Sequence, residues 1–313
     1  MSIKLSIILV NYNLAPEADA CLESLDKYID RGTTEVIVVD NGSTEKNLKE
    51  VANKYSGKAS FYFIEKNLGF GGGNNYGASK ANGEILCLLN TDTVIERNIF
   101  SEVIELFDRH PEITVLGPRL KNLENITEYS IGEFPTTGSE FLRIFSPGGR
   151  KSEAYLQNLL SGEPKLFPVD WVTGAAFFVR RDAFEKANGF DENIFMYNEE
   201  IDLCKRITAA GGKVYFYSSD GIIHIKSVSS RKNYYLFTVR SYESKLYYLE
   251  KHFNGMEGLI VRKMLGVQVL VQMILWFLLI PFYPSRSIGK LKGFGNIFAK
   301  IVRSLFNFKL LGR

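Results

Sequence analysis

Short apolar runs alternate with stretches of helical spacing through the first third of the chain. Leu5 to Val10, Glu35 to Val39, Phe61 to Ile64 and the run beginning at Cys87 are largely apolar or β-branched and read as buried strands. Pro16 to Tyr28 sets Ala18, Cys21, Leu22 and Leu25 at helical spacing, and Leu48 to Tyr55 follows the same period. Strands alternating with helices of this length predict an α/β fold: a doubly wound, mainly parallel sheet flanked by helices. The runs stop abruptly at polar residues: Asn11-Tyr12-Asn13, Asp40-Asn41-Gly42-Ser43 and Asn90-Thr91-Asp92. Open α/β sheets place their ligands at such carboxyl ends.

Asn67 to Gly77 is rich in glycine, and a helix is expected after it at Ala78 to Asn82. Glycines there allow a backbone to approach a ligand closely. The stretch is not a Walker loop, because no Gly-Lys-Ser/Thr follows, and no Gly-x-Gly-x-x-Gly follows the first strand. Phe100 to Arg109 has helical periodicity and Val115 to Leu116 suggests a strand. From Lys121 to Phe167 the pattern is irregular, with exposed loop expected at Gly148 to Ser152 and Ser161 to Pro164. Order returns at Val169 to Val179, followed by a helix at Arg181 to Asn188. Glu199, Glu200 and Asp202 fall in the first turn of a further helix. Acids there suit the helix dipole, and crowded carboxylates raise one another's proton affinity, which a general base near neutral pH requires. Strands are expected at Val214 to Ser218 and at Ile222 to His224.

Composition is that of an ordinary globular protein, with 45% hydrophobic and 23% charged residues. The N-terminus runs directly into the first strand, so no secretory signal is expected. Cys21, Cys87 and Cys204 are scattered without metal-ligand spacing and read as core fillers in a reducing compartment. Charge is uneven. No acidic residue follows Glu257, whereas nine basic residues do; removing those nine from the 38 Lys and Arg leaves 29 against 35 Asp and Glu. An acidic body with a basic tail points to a tail that meets an anionic surface.

Two chemistries stand at the strand ends. Asn90 and Asp92 aim oxygens from one edge, as sites for hard divalent cations carrying phosphates do. Asp40 is placed to accept the imide N–H of a uracil or thymine ring. Taken in order, VIVVDNGS (36–43), NLGFGGGNN (67–75), LLNTDT (88–93), WVTGAAFFVRR (171–181), GFDENIFMYNEEIDLCKR (189–206) and His224 resemble the family 2 inverting glycosyltransferases of GT-A fold, in their bacterial rhamnosyltransferase-like branch. The resemblance implies a catalytic domain over 1–250, with a nucleotide-binding half at about 1–95 and an acceptor half at about 96–250. It implies donor binding by Asn11, Tyr12, Asp40, Asn67, Gly69, Asn90 and Asp92. A divalent cation, Mg²⁺ or Mn²⁺, would sit at Asn90, Asp92 and His224. Trp171, Thr173 and Gly174 would form the wall where donor sugar and acceptor meet. Glu200 would be the catalytic base, with Glu199 and Asp202 as substitutes. The chain departs from the family pattern by Asn90 in place of the first Asp and by Glu200 in place of a catalytic Asp.

The implied activity is transfer of one sugar from a nucleoside-diphosphate sugar, deoxythymidine diphosphate rhamnose or a uridine diphosphate hexose. The implied acceptor is a polyprenyl-diphosphate-linked glycan in bacterial cell-surface polysaccharide synthesis. No Gln-x-x-Arg-Trp follows the acidic cluster, which argues against a processive synthase. A nucleotidyltransferase would need a glycine-rich phosphate loop after the first strand, where this chain has Asn11-Tyr12-Asn13-Leu14. A sugar-binding pseudo-transferase is opposed by the acids at 199 to 202.

Residues 251–313 form a basic and apolar helical tail. Met264 to Ser285 carries no charge, but Gln268 and Gln272 share a face, Pro281 and Pro284 break the end, and basic residues flank both sides. From Leu291, Phe294, Phe298, Ile301, Leu305 and Phe308 recur at helical spacing opposite Lys292, Lys300 and Arg303. That pattern predicts an amphipathic helix lying in a lipid interface, with an oligomer contact such as a homodimer or a domain-capping helix as alternatives. The expected location is cytoplasmic, peripheral at the inner face of the cell membrane. The tail's aromatics share a face with aliphatics, which argues against nucleic acid.

Overall fold

The computed structural model describes residues 2–45, 47–145, 163–225 and 233–307. They form two compact units, an α/β unit of residues 2–134, 163–195 and 199–225, and a helical unit of 135–145, 196–198 and 233–307.

The α/β unit opens with β1 (Leu5–Asn11), α1 (Ala15–Asp26), β2 (Thr34–Asn41), α2 (Leu48–Lys54), β3 (Ser60–Ile64), α3 (Gly69–Ala78) and β4 (Ile85–Asn90). There follow β5 (Thr93–Ile95), α4 (Phe100–Arg109), β6 (Ile113–Lys121) and β7 (Ile131–Gly132). After α5 (Thr137–Phe145), which belongs to the helical unit, come β8 (Leu166–Pro168), β9 (Trp171–Val172) and β10 (Ala176–Arg180). The unit ends with α6 (Arg181–Lys186), α7 (Glu199–Ala209) and β11 (Lys213–His224).

Strand order in the main sheet is β3-β2-β1-β4-β10-β6-β11-β5, with β8 beside β11. β1, β2, β3 and β4 run parallel, as do β6 and β11, and β10 runs against both β4 and β6. The expected doubly wound, mainly parallel architecture is therefore present. The strands are apolar on successive residues because both faces are covered. Ile7, Leu9 and Cys87 face α1, α2 and α4 through Leu22, Val51 and Phe107, while Ile8, Val39 and Leu88 face Phe184, Leu203 and Ile207. All three cysteines are free and buried, in keeping with core filling.

Three expectations need correction. The glycine run is itself helical: α3 starts at Gly69 and ends at Ala78, where a helix was expected only to begin. The two strands expected at 214–218 and 222–224 are one strand, β11, whose pairing shifts between Tyr217 and Ile222. The irregular stretch holds β7, β8 and α5. Gly148 to Ser152, Ser161, Gly162 and Phe308 lie outside the described residues.

The helical unit comprises α5, α8 (Tyr234–His252), α9 (Gly255–Leu278) and α10 (Pro284–Asn307). Asn233 caps α8 by accepting from Leu236 N at 3.0 Å, and Pro284 opens α10, where its missing N–H costs nothing. The apolar side of α10 does not stand free for lipid. Phe294, Ile297 and Ile301 are buried, because α10 packs against α8 and α9. Inside the unit Lys245 Nζ bonds Glu140 Oε2 at 2.6 Å and Gln268 Oε1 at 3.1 Å, tying α8 to α5 and α9.

Candidate active site

A row of polar residues forms because parallel strands end level. Asn11 of β1 lies opposite Asp40 of β2, and Val10 lies opposite Asn90 of β4. β10 meets β4 from the other direction, so Asn90 N donates to Ala175 O at 3.0 Å. The N–H of the preceding residue, Gly174, favours the charged form of the Glu200 carboxylate. The sheet edge therefore carries Asp40, Asn11 and Asn90 in succession, with Gly174 just before the rung at Ala175.

At one end, Asn11 Nδ2 donates to Asp40 Oδ1 at 3.4 Å and to Ser43 Oγ at 3.3 Å, and its own Oδ1 is buried without a protein partner. A buried amide oxygen left bare beside a carboxylate is a place for a ligand N–H. Asn13, at φ 55°, folds the next loop over by accepting from Thr44 N at 2.8 Å and Glu45 N at 3.2 Å. Tyr12 is exposed at the rim. Asn67 and Gly69 have local duties: Asn67 Oδ1 accepts from Gly69 N at 2.9 Å, and a Cβ on Gly69 would stand 2.3 Å from Phe195 O. The other glycines of α3 likewise follow from packing, since a Cβ on Gly73 would strike Val10 and one on Gly77 would strike Ile8.

Beyond Asn90, Asp92 meets His224 because β11 pairs with β5, setting His224 opposite Thr93. His224 Nε2 lies 3.4 Å from Asp92 Oδ1, and Nδ1 lies 2.9 Å from Glu128 Oε2. Burial opposes protonation of the imidazole, but the hydrogen bonds and charges of Asp92 and Glu128 outweigh it and raise its pKa to about 9. Metal-ligating imidazoles usually give their second nitrogen to a carboxylate, as here. Asp92 and His224 Nε2 are thus the groups that could hold a hard cation, which would take the place of the proton between them. Among the described residues no three His, Cys, Asp or Glu side chains gather in a metal-holding group. A cation here would draw much of its coordination from substrate phosphates and water, as Mg²⁺ commonly does.

At the other end, α7 presents its acids unequally. Glu199 is buried, and burial first, then the charge of Glu200, holds its carboxyl well above the usual range. Glu200 is half-buried, with Oε2 unpartnered; burial pushes it up to about 7, against the smaller opposing pull of its own N–H and that of Gly174. Asp202 is fully buried and bound to Arg206 Nε at 2.8 Å, which leaves it no route to an acceptor hydroxyl and removes it from the candidate bases. Two residues before Glu199 the backbone is forced: Tyr197 and Asn198 sit at φ 71° and 67°. Trp171 Nε1 donates to Glu133 O at 3.1 Å and Thr173 N to Ser130 O at 2.8 Å, which fixes the ribbon of β7 and β9 that leads into Gly174. A cavity of about 250 Å³ lined by Asn75, Arg181 and Phe184 lies beside Leu86, toward the opposite end of β4, and holds none of these residues.

Glu128, Asn13 and Arg206 were not singled out by the sequence. Arg206 four residues after Asp202 on one helix was a readable signal; Glu128 sits in the irregular stretch and gave none.

The chain is similar to several known proteins. The chain is 26% identical over 267 residues to the N-acetylglucosaminyl-diphospho-decaprenol L-rhamnosyltransferase of Mycobacterium tuberculosis, covering 80% of this chain and 85% of that one. It is 27% identical to the rhamnosyltransferase WbbL of Escherichia coli, covering 70% and 82%. In fold it is similar to GalNAc-T7 solved with UDP, GalNAc and Mn²⁺, at TM-score 0.65 and 16% identity, covering 98% of this chain and 57% of that one. It is also similar to residues 1–349 of S. aureus TarS in complex with UDP, at TM-score 0.55 and 16% identity, covering 96% and 92%. Residues 6–186 match glycosyl transferase family 2, a span that contains Asp40, Asn90 and Asp92 and stops short of Glu200 and His224. With that match over more than half its length, the chain belongs to glycosyl transferase family 2, in the rhamnosyltransferase-like branch of that family.

Proposed function

We propose that this glycosyltransferase moves one sugar from a nucleoside-diphosphate donor to a hydroxyl of a lipid-linked glycan, inverting the anomeric centre in a single displacement. The observation that carries the reading is the polar row at the strand ends, with Asn11 opposite Asp40 and Asn90 N bonded to Ala175 O, next to the Gly174 N–H that favours the charged form of Glu200. The catalytic role falls to the α/β unit. The donor expected first is deoxythymidine diphosphate rhamnose, supported by the two rhamnosyltransferase relatives; a uridine diphosphate hexose comes second, supported by the UDP-bound fold relatives. The name of the mycobacterial relative supports a polyprenyl-diphosphate-linked acceptor and hence a place on the cytoplasmic side of the membrane.

In this reading Asp40, oriented by Asn11, receives the imide N–H of the pyrimidine. Glu200 takes the proton from the acceptor hydroxyl as its oxygen bonds the anomeric carbon, and the bond from that carbon to the diphosphate breaks. A pKa near 7 leaves enough free carboxylate at neutral pH and a strong enough base. Asp92, with Asn90 and His224 beside it, would hold a divalent cation, Mg²⁺ or Mn²⁺, whose contribution is to offset charge on the departing diphosphate. Glu200→Gln should lower turnover by about 10²–10⁴-fold while nucleotide binding by calorimetry persists. Full turnover in that variant, with loss in Glu199→Gln instead, would move the base to Glu199.

A further inference from the structure

One face of α9 is used up inside the helical unit. Val261, Leu265 and Val269 are buried there, with Arg262 Nε donating to Gly258 O at 2.9 Å and Gln268 held by Lys245. The opposite face is open and, apart from the exposed Lys263 toward its N-terminal end, apolar. Ile260, Val267, Leu270, Ile274 and Phe277 follow one another at steps of seven, three, four and three, which keeps them on one stripe. Exposure grows toward the C-terminal end: Ile274 is 62% exposed, Phe277 65%, Leu278 63%, and Phe282 in the following turn 73%. Large open apolar surface of this kind marks an interaction site.

Cations gather at the same end. Lys290 Nζ lies 4.2 Å from the centre of the Trp276 ring and the Arg286 guanidinium 5.2 Å from it. Trp with basic neighbours above an apolar tip is the arrangement of a membrane–water boundary. α9 is long and apolar enough to cross a bilayer, with mean hydropathy 1.6 over its most apolar window. Its inner face, however, carries Arg262 and Gln268 and packs against α5, α8 and α10, so only the outer face is free for lipid. Pairing the stripe with a second copy is disfavoured by charge, because no acid follows Glu257 to meet the cations of α10.

We propose that the C-terminal half of α9 and the turn at Phe282 dock into an anionic bilayer, with Trp276, Arg286 and Lys290 at headgroup depth. This deepens the membrane location assigned above and rests on it. The test is flotation of the full chain with vesicles of phosphatidylglycerol and phosphatidylethanolamine, against phosphatidylcholine alone. The wild type should float with the anionic vesicles only. Ile274→Glu/Phe277→Glu should bind them at least about tenfold more weakly, and each of Arg286→Gln and Lys290→Gln about fivefold more weakly. Unchanged circular dichroism and nucleotide binding would show that the fold is intact. A wild type that never floats overturns the membrane location itself. A wild type that floats alongside an equally bound Ile274→Glu/Phe277→Glu overturns only this surface, as does a wild-type dimer that the double substitution turns into a monomer.

Discussion

Glu200 makes a prediction about pH with two opposite signs. As the proposed base it works deprotonated, so turnover should rise with pH through about 7 and then level off. Stability should run the other way. The folded chain holds this proton more tightly than the unfolded chain, whose value is the ordinary 4.5, so the contribution is complete below that value and lost as pH climbs through about 7. The groups around Glu200 do not reverse the sign: Glu199 and Cys204 are buried with raised values, and Asp202 is neutralised by Arg206. Glu200→Gln should therefore melt a few degrees above wild type at pH 8 and level with it at pH 5, each kcal/mol being worth roughly 2–4 °C in a domain of this size. Glu128 gives a second test. Glu128→Gln should weaken Mn²⁺ binding by about 10–100-fold while Glu128→Asp largely restores it, followed by metal titration without substrate. The acids at 199 to 202 were legible as a cluster, but which of them keeps a usable oxygen was not. That depends on Gly174 and Arg206, and only folding shows what each carboxylate meets.

The helix α3 shows how an element escapes sequence reading. Glycine is a poor helix former by about 1 kcal/mol relative to alanine, so local propensity argues for a loop. Packing overrides it, because α3 lies too close to the sheet for side chains: a Cβ on Gly77 would stand 2.4 Å from Ile8 Cγ2. Gly77→Ala should accordingly destabilise by about 1–3 kcal/mol in urea unfolding despite its better propensity. A stabilised Gly77→Ala would mean that the helix can move off the sheet. α10 differs. Its amphipathic period was readable, yet a period cannot say what covers the apolar face. The cover is α8 and α9, and the open surface moved to a helix whose stretch from Met264 onward carries no charge to mark which side faces out.

For the whole molecule, the parallel strands and their polar ends were legible because a continuous apolar run of strand length, stopped by Asn or Asp, fits little besides a strand covered on both faces. The helical unit was harder, since its partners are scattered from α5 to α10 and no local signal links them. The assignment of donor is tested by thermal shift. A bound nucleotide sugar present at about a hundred times its Kd should stabilise the chain by about 2.7 kcal/mol, and Mn²⁺ or Mg²⁺ should enlarge the shift. Equal shifts for the free sugar and its nucleotide form would contradict recognition through the pyrimidine.

The position of β11 between β6 and β5 bears on how the enzyme is born. Among the described residues β5 has no other neighbour in the sheet, and Ile225 N, just past β11, bonds Asp92 O at 2.8 Å. On the ribosome, Asp40 and Asn90 emerge early, whereas most of the polypeptide must be made before β11 can slot in beside Asp92. A nascent chain therefore has the strand that carries Asp40 well before it has His224, so the two ends of the candidate site are completed at different stages of synthesis.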